Sequence, residues 1–336
     1  MQRLHLSRRA LCLPALTLCA ALLWACGDDK ETALGPSTGA DGNITLAAPP
    51  AGKGIQVVIG PFEVPAGQEV QKNFYQKLPT DQDLYVTKIE LAYNTGSHHL
   101  NVFKSDDIDV ADHMEDSFSA IAWESWDMVV ASQRNALTWT LPEGVAIHLK
   151  PHQQMNFQTH YVNGITQTTP GGMGKVVVNF YTTDKANVKA YAGALFANNK
   201  KVLLPAHTED TFRKETKPFP NDAHILWMTG HFHGWGKSFV VNRWDGTQAG
   251  TEVYSNKTWD EPPVKFFDTP LEVKAGESLS YTTTHVNNTD KEVKFGPHVE
   301  TDEHANLFIF YYPAPDEGAA IYDFDGGVLV SSKAVQ

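Results

Sequence analysis

Lys175-Val176-Val177-Val178-Asn179-Phe180-Tyr181 alternates between β-branched or aromatic residues and polar ones with a period close to two. Such a run reads as a strand with one face on a core. Similar short runs rich in Val, Ile, Phe, Tyr and Thr recur at 56–59, 84–91, 224–244 and 307–312, separated by Gly, Pro, Asn and Asp. No helical stripe of any length interrupts them, and no repeat shows at solenoid periods. The expected class is therefore all-β, built as antiparallel sandwiches or jelly rolls. About 290 residues of such material suit two domains better than one. The patterning is weakest near 183–201, which places the expected domains at 49–186 and 187–336.

Composition narrows the chemistry. The chain has 336 residues, 42% of them hydrophobic and 20% charged, enough to build a core. Its three cysteines, Cys12, Cys19 and Cys26, all precede residue 27, whereas thirteen of its fourteen histidines follow it. The body has no thiol for a disulfide, a zinc-thiolate site or an iron–sulfur cluster. Any metal there must be held mainly by histidine.

Residues 1–25 carry Arg3, Arg8 and Arg9, no acid, and an apolar run from position 10. That is the pattern of a secretory leader, too short for a comfortable membrane span. It ends in Leu23-Trp24-Ala25-Cys26-Gly27, which resembles a bacterial lipobox, with Cys26 as the lipidated residue. The expected location is the bacterial cell envelope, with a lipid anchor as the contact with the membrane. Gly27 after the cysteine favours the outer membrane, facing the periplasm or the exterior. Residues 26–48, poor in apolar side chains, read as a flexible tether. Without the leader the chain has 24 basic against 39 acidic residues, a balance that disfavours nucleic acid as a partner.

Three histidine clusters stand out in strand-like context: Gly96-Ser97-His98-His99, Gln158-Thr159-His160-Tyr161, and Gly230-His231-Phe232-His233-Gly234, with His304 further on. His231 and His233 are two apart, so a strand sends both to one face. His98 and His99 are adjacent and reach one ion only at a strand end or a bulge. A lone HxH or HH pair is usually a surface pair, and the case rests on three clusters occurring together. Imidazole donors suit copper or zinc, and iron less well. Spacing forces no carboxylate into either set. His285 and His298, close in sequence to the third cluster, are candidates for indirect support.

The order of these clusters resembles the copper type II, ascorbate-dependent monooxygenases, the family of peptidylglycine α-hydroxylating and dopamine β-monooxygenases. The resemblance covers about residues 50–315. It is carried by His98-His99, by Gln158-x-His160-Tyr161, by His231-x-His233 with Lys237, and by Asp302-Glu303-x-x-Asn306-Leu307 with Tyr311-Tyr312. It implies two jelly-roll-like domains facing each other across a cleft and two copper ions per chain. His98, His99 and His160 would hold an electron-transfer copper, and His231, His233 and His304 the oxygen-binding one. It further implies hydroxylation of a C–H bond of a small molecule, using O2 and an external donor such as ascorbate. By the same resemblance Gln158, Thr229, Asn306 and Phe308 would lie near the substrate.

Three departures matter. His304 stands where the family has a methionine ligand. Thr229 and Phe308 replace the arginine and tyrosine with which the peptide-amidating member grips a carboxylate, which argues against a glycyl peptide. The body also lacks the disulfides of the animal members. The alternative reading is a non-catalytic copper-binding envelope lipoprotein serving storage, delivery or electron transfer. A cupin-like iron or zinc enzyme is a third, weakened by Lys237 where cupins place a glutamate.

Overall fold

In the computed structural model the run quoted first becomes the centre of a strand, Met173–Thr183. Val176, Val178 and Phe180 enter the core, while Asn179 on the other face accepts a hydrogen bond from the Gln56 amide at 2.9 Å. The structure describes residues 36–39, 43–117, 124–164 and 168–335, which belong to one unit, Leu34–Gln336. The expected leader and Cys26 lie outside the described residues.

The first half contains β1 (Gly54–Glu63), β2 (Glu69–Lys77), β3 (Leu84–Tyr93), β4 (Ser97–Ser105), β5 (Asp127–Ser132), β6 (Val145–Leu149), β7 (Gln154–Val162) and β8 (Met173–Thr183). These form two sheets, in the orders β6-β3-β8-β1 and β2-β7-β4-β5. The second half contains β9 (Gly193–Asn198), β10 (Thr208–Glu215), β11 (Ala223–Phe232), β12 (Gly236–Trp244), β13 (Ala249–Asn256), β14 (Lys265–Val273), β15 (Ser278–Asn287) and β16 (Ala305–Tyr312). Its two large sheets run β14-β11-β16-β9 and β13-β12-β15-β10. The strand order of the first half thus recurs in the second, although no repeat is visible in the sequence. Short strands extend all four sheets, and Leu203–Leu204, Val293–Phe295 and Asp302–Glu303 make a three-stranded one. The only helical segments among the described residues are the 3-10 turns Pro170–Gly172 and Lys185–Asn187, and no helix is long and apolar enough to cross a membrane.

The chain is all-β, as expected, but it is not two separate jelly-roll sandwiches facing each other across a cleft, and that expectation is corrected. Among the described residues the strands are spread over six sheets of two to six strands, and the halves share apolar packing. Trp227, Phe308 and Phe310 of the sheet β14-β11-β16-β9 belong to the same buried cluster as Val102, Phe157 and Val178 of the first half. Trp139 meets Phe266 and Phe310 edge-on, at 5.5 and 5.8 Å. The cause is written in β16, where Leu307-Phe308-Ile309-Phe310-Tyr311 is apolar without alternation and is buried on both faces. One face meets the first core. The other supplies Leu307 and Ile309 to a second core around Phe232, Phe239 and Tyr281.

The expected domain border at 186/187 falls in the second 3-10 turn, and Ala190–Tyr191 beyond it still pairs with β6. Part of the expected tether is ordered. Ser37–Thr38 pairs with Ile44–Thr45, Thr38 donates to the carbonyl of Tyr93, and Asn179 donates to that of Ala47.

Candidate metal centre

β11 carries Trp227, Thr229 and His231 on one face and Met228, Gly230 and Phe232 on the other, as the two-residue period requires. Gly230 is needed because a Cβ there would come within 2.5 Å of the Phe239 ring. β16 runs antiparallel beside β11, with Thr229 opposite Phe308, His231 opposite Asn306, and Phe232 opposite Ala305. The next step of that register brings His233 beside His304, with ring centroids 4.0 Å apart. His231 lies 5.5 Å from His233 and 5.0 Å from His304. One ligand atom from each of the three falls within 4.8 Å of the others.

The surroundings aim these rings. Nδ1 of His233 is 2.7 Å from the carbonyl of Asp302, and Nδ1 of His304 is 3.2 Å from that of Gly296. A carbonyl only accepts, so each Nδ1 carries the proton and each Nε2 keeps its lone pair. Nε2 of His304 is buried with no hydrogen-bond partner, which leaves its lone pair free for a metal ion. Glu303, fully buried, accepts the backbone N–H of His233 at 2.6 Å and of His304 at 2.8 Å through one oxygen. Its other oxygen lies 3.3 Å from Nδ1 of the buried His285. The donors present therefore fit a small, imidazole-binding ion such as copper.

The first set is assembled by a bulge. His160 on β7 pairs with His99 on β4, but Tyr161 pairs with Ser97, so His98 is the extra residue and turns to the face of its neighbour. The His160 ring is 4.7 Å from that of His98 and 5.4 Å from that of His99. Two of these rings face carboxylates that spacing did not reveal. His160 Nε2 is 2.7 Å from Glu69, and His98 Nδ1 is 3.4 Å from Glu261, which arrives from the second half. Nε2 of His99 is buried without a partner. The three rings are gathered, yet among the described residues only the second set has its ligand atoms mutually within 4.8 Å.

His99, His231, His233 and His304 line one cavity, together with Gln158, Thr229 and Phe308. Three of the four expected substrate-side residues therefore reach it. Asn306 is fully buried opposite His231, with neither amide atom hydrogen-bonded. Of the aromatic residues near the clusters, Phe232 and Tyr161 belong to the cores instead. His285 packs against Glu303 without a hydrogen bond to it, and the backbone N–H of His298 donates to Asp302 at 3.1 Å. Glu303 stands in the motif that carries the resemblance, but nothing local shows that it would accept the backbone N–H groups of His233 and His304. Glu69 and Glu261 carry no local signal at all.

Burial, helped by the neighbouring imidazoles, lowers the pKa of His99 and of His231 to about 3 and pushes His304 well below its ordinary value. In the unfolded chain the same rings take up protons near 6.5. The unfolded state then binds more protons, so the metal-free protein is expected to keep its stability above that pH and lose it as pH falls toward 3. Thermal melts of the apoprotein over this range test it, and a midpoint that did not move would refute neutral, buried rings.

No family model matches the chain, and no curated protein sequence matches it.

Proposed function

We propose that the chain is a copper-dependent monooxygenase that hydroxylates a C–H bond of a small molecule. The observation that carries this reading is the preset triad His231, His233 and His304, opening into one cavity with His99 of the first histidine set. Copper held there would supply O2 activation, with one oxygen atom going to the substrate, the other to water, and the electrons coming from an external reductant such as ascorbate. His231, His233 and His304 would hold one ion and His98, His99 and His160 the other. The chain's own part is to present Nε2 donors fixed by backbone carbonyls and to hold a guest beside His231 while keeping bulk water out.

The strand orders support the same family reading. In each half they are the connectivity of a jelly roll, β6-β3-β8-β1 over β2-β7-β4-β5 and its counterpart. We include in the proposal the lipid-anchored envelope location drawn from the leader and Cys26.

One observation favours a second reading, a non-catalytic copper-binding lipoprotein. The first histidine set is not convergent, two of its rings being engaged by Glu69 and Glu261. Copper titration with oxygen uptake separates the two readings. The oxygenase takes up two equivalents and consumes O2 when reductant is supplied. A single equivalent, or two without any oxygen consumption across varied small molecules, would sink it.

A further inference from the structure

Beyond that reading, and independently of it, we infer that the groove sharing a wall with the metal cavity is a binding site for an aromatic carboxylate. The groove is about 820 Å³. It runs between two strand edges, the short strand Ala136–Thr140, which pairs with β3, and β14. Ala131, Ser132, Gln133 and Val264 line both the groove and the metal cavity. Between the two spaces, Nε2 of Gln133 donates to the carbonyl of Pro262 at 2.7 Å, a bond that crosses from the first half to the second.

A bulge in β14 shapes this groove. Ile225 of β11 pairs with Leu271 and Trp227 with Phe266, so residues 267–270 stand opposite the single residue Leu226. The extra length carries Phe267, Asp268 and Pro270 into the groove's wall. Trp139, 8% exposed, and the half-buried Phe266 and Phe267 give it an aromatic lining. Such rings offer faces and edges against which another ring packs.

Charge selects the guest. The chain has 39 acidic against 27 basic residues, yet the groove is lined by two cations, Arg134 and Lys265, and one carboxylate, Asp268. Of the three arginines among the described residues, Arg213 lies 2.8 Å from Glu215 and Arg243 3.9 Å from Glu277. Arg134 is exposed, and its guanidinium forms no ion pair among the described residues. Its backbone is pinned by Ser132, whose Oγ donates to the Arg134 carbonyl at 2.9 Å and accepts its N–H at 3.1 Å. Lys265 donates to the carbonyl of Val253 at 2.8 Å and sits 5.1 Å from the centre of the Phe267 ring, neutral partners that leave its charge in place. A guanidinium takes a carboxylate through two parallel N–H groups and also lies flat on rings. Together with the aromatic lining, these groups match an anion carried on a ring, whereas an ammonium guest would meet two like charges.

The test is calorimetry on the intact, metal-free chain, so that no carboxylate binds through copper. Indole-3-acetate is expected to bind about fivefold more tightly than indole-3-ethanol, tryptamine or acetate, the gain an exposed arginine–carboxylate pair can give. Arg134→Gln should weaken indole-3-acetate by about the same factor and leave indole-3-ethanol unchanged. Asp268→Asn, which removes the one opposing charge, should tighten indole-3-acetate about twofold. Both side chains are exposed, so neither variant is expected to disturb folding. The inference is overturned if indole-3-ethanol or tryptamine matches the acid, or if acetate binds as well without a ring. It is equally overturned if Arg134→Gln leaves the acid's affinity unchanged, if Asp268→Asn weakens it, or if indole-3-acetate does not bind at millimolar concentration.

Discussion

Glu303→Ala is expected to cost roughly 3–6 kcal/mol of stability and to abolish the second metal site in the same step. One carboxylate oxygen accepts the buried N–H groups of His233 and His304, at 2.6 and 2.8 Å. Hydrogen bonds to a charged acceptor contribute about 1.5–3 kcal/mol each, and alanine would leave both donors stranded in an interior without water. Relief of the buried charge offsets part of this. Even so, the loss is a large fraction of the total for an ordinary domain, about 5–15 kcal/mol. Glu303→Gln keeps an oxygen in the same place and should restore most of the stability and the copper uptake. Urea unfolding and metal titration of both variants check this. Equal losses in the two would show that the negative charge matters rather than the acceptor, and a small effect of alanine would show that the backbone of the two ligands is held by other means.

His233→Ala should lower copper uptake from two equivalents to one and reduce oxygen consumption to background. His99→Ala should also give one equivalent, with the other ion retained. The two variants differ in what remains, since His233→Ala leaves the His98–His99–His160 set and His99→Ala leaves the set whose nitrogens already converge. The remaining copper should therefore be held more tightly in His99→Ala. Uptake of two ions by His233→Ala, or indifference of oxygen consumption to its loss, would refute the assignment of His231, His233 and His304 to the reactive centre.

Much of this was legible in the chain because strand geometry is local. In β7 a two-residue period puts Met155, Phe157 and Tyr161 into the core and leaves Gln158 and His160 on the site face. The same period puts His231 with Thr229. Adjacent His98 and His99 called for a bulge or a strand end, and the register break at Ser97 supplies the bulge. What stayed hidden depends on which distant segments meet. Glu69 and Glu261 reach the first histidines from 91 and 163 residues away, respectively, and no spacing rule reports that. Nor does any local pattern show that β11 and β16 would be covered on both sides. The run 307–311 reads as a buried strand, but its sequence does not say that its two faces belong to different cores.

That doubly covered sheet ties the halves into one cooperative unit. Separating them would bring Trp227, Phe308 and Phe310 into water, and three large aromatic side chains represent a penalty of about 1.5–3 kcal/mol apiece. Either half expressed alone would display that sheet face, or lose the face it packs on, and would be prone to self-association. On the proposed function a guest would enter past the rim of loops that bears Trp259 and Val299, both exposed, rather than through the costly seam between the halves.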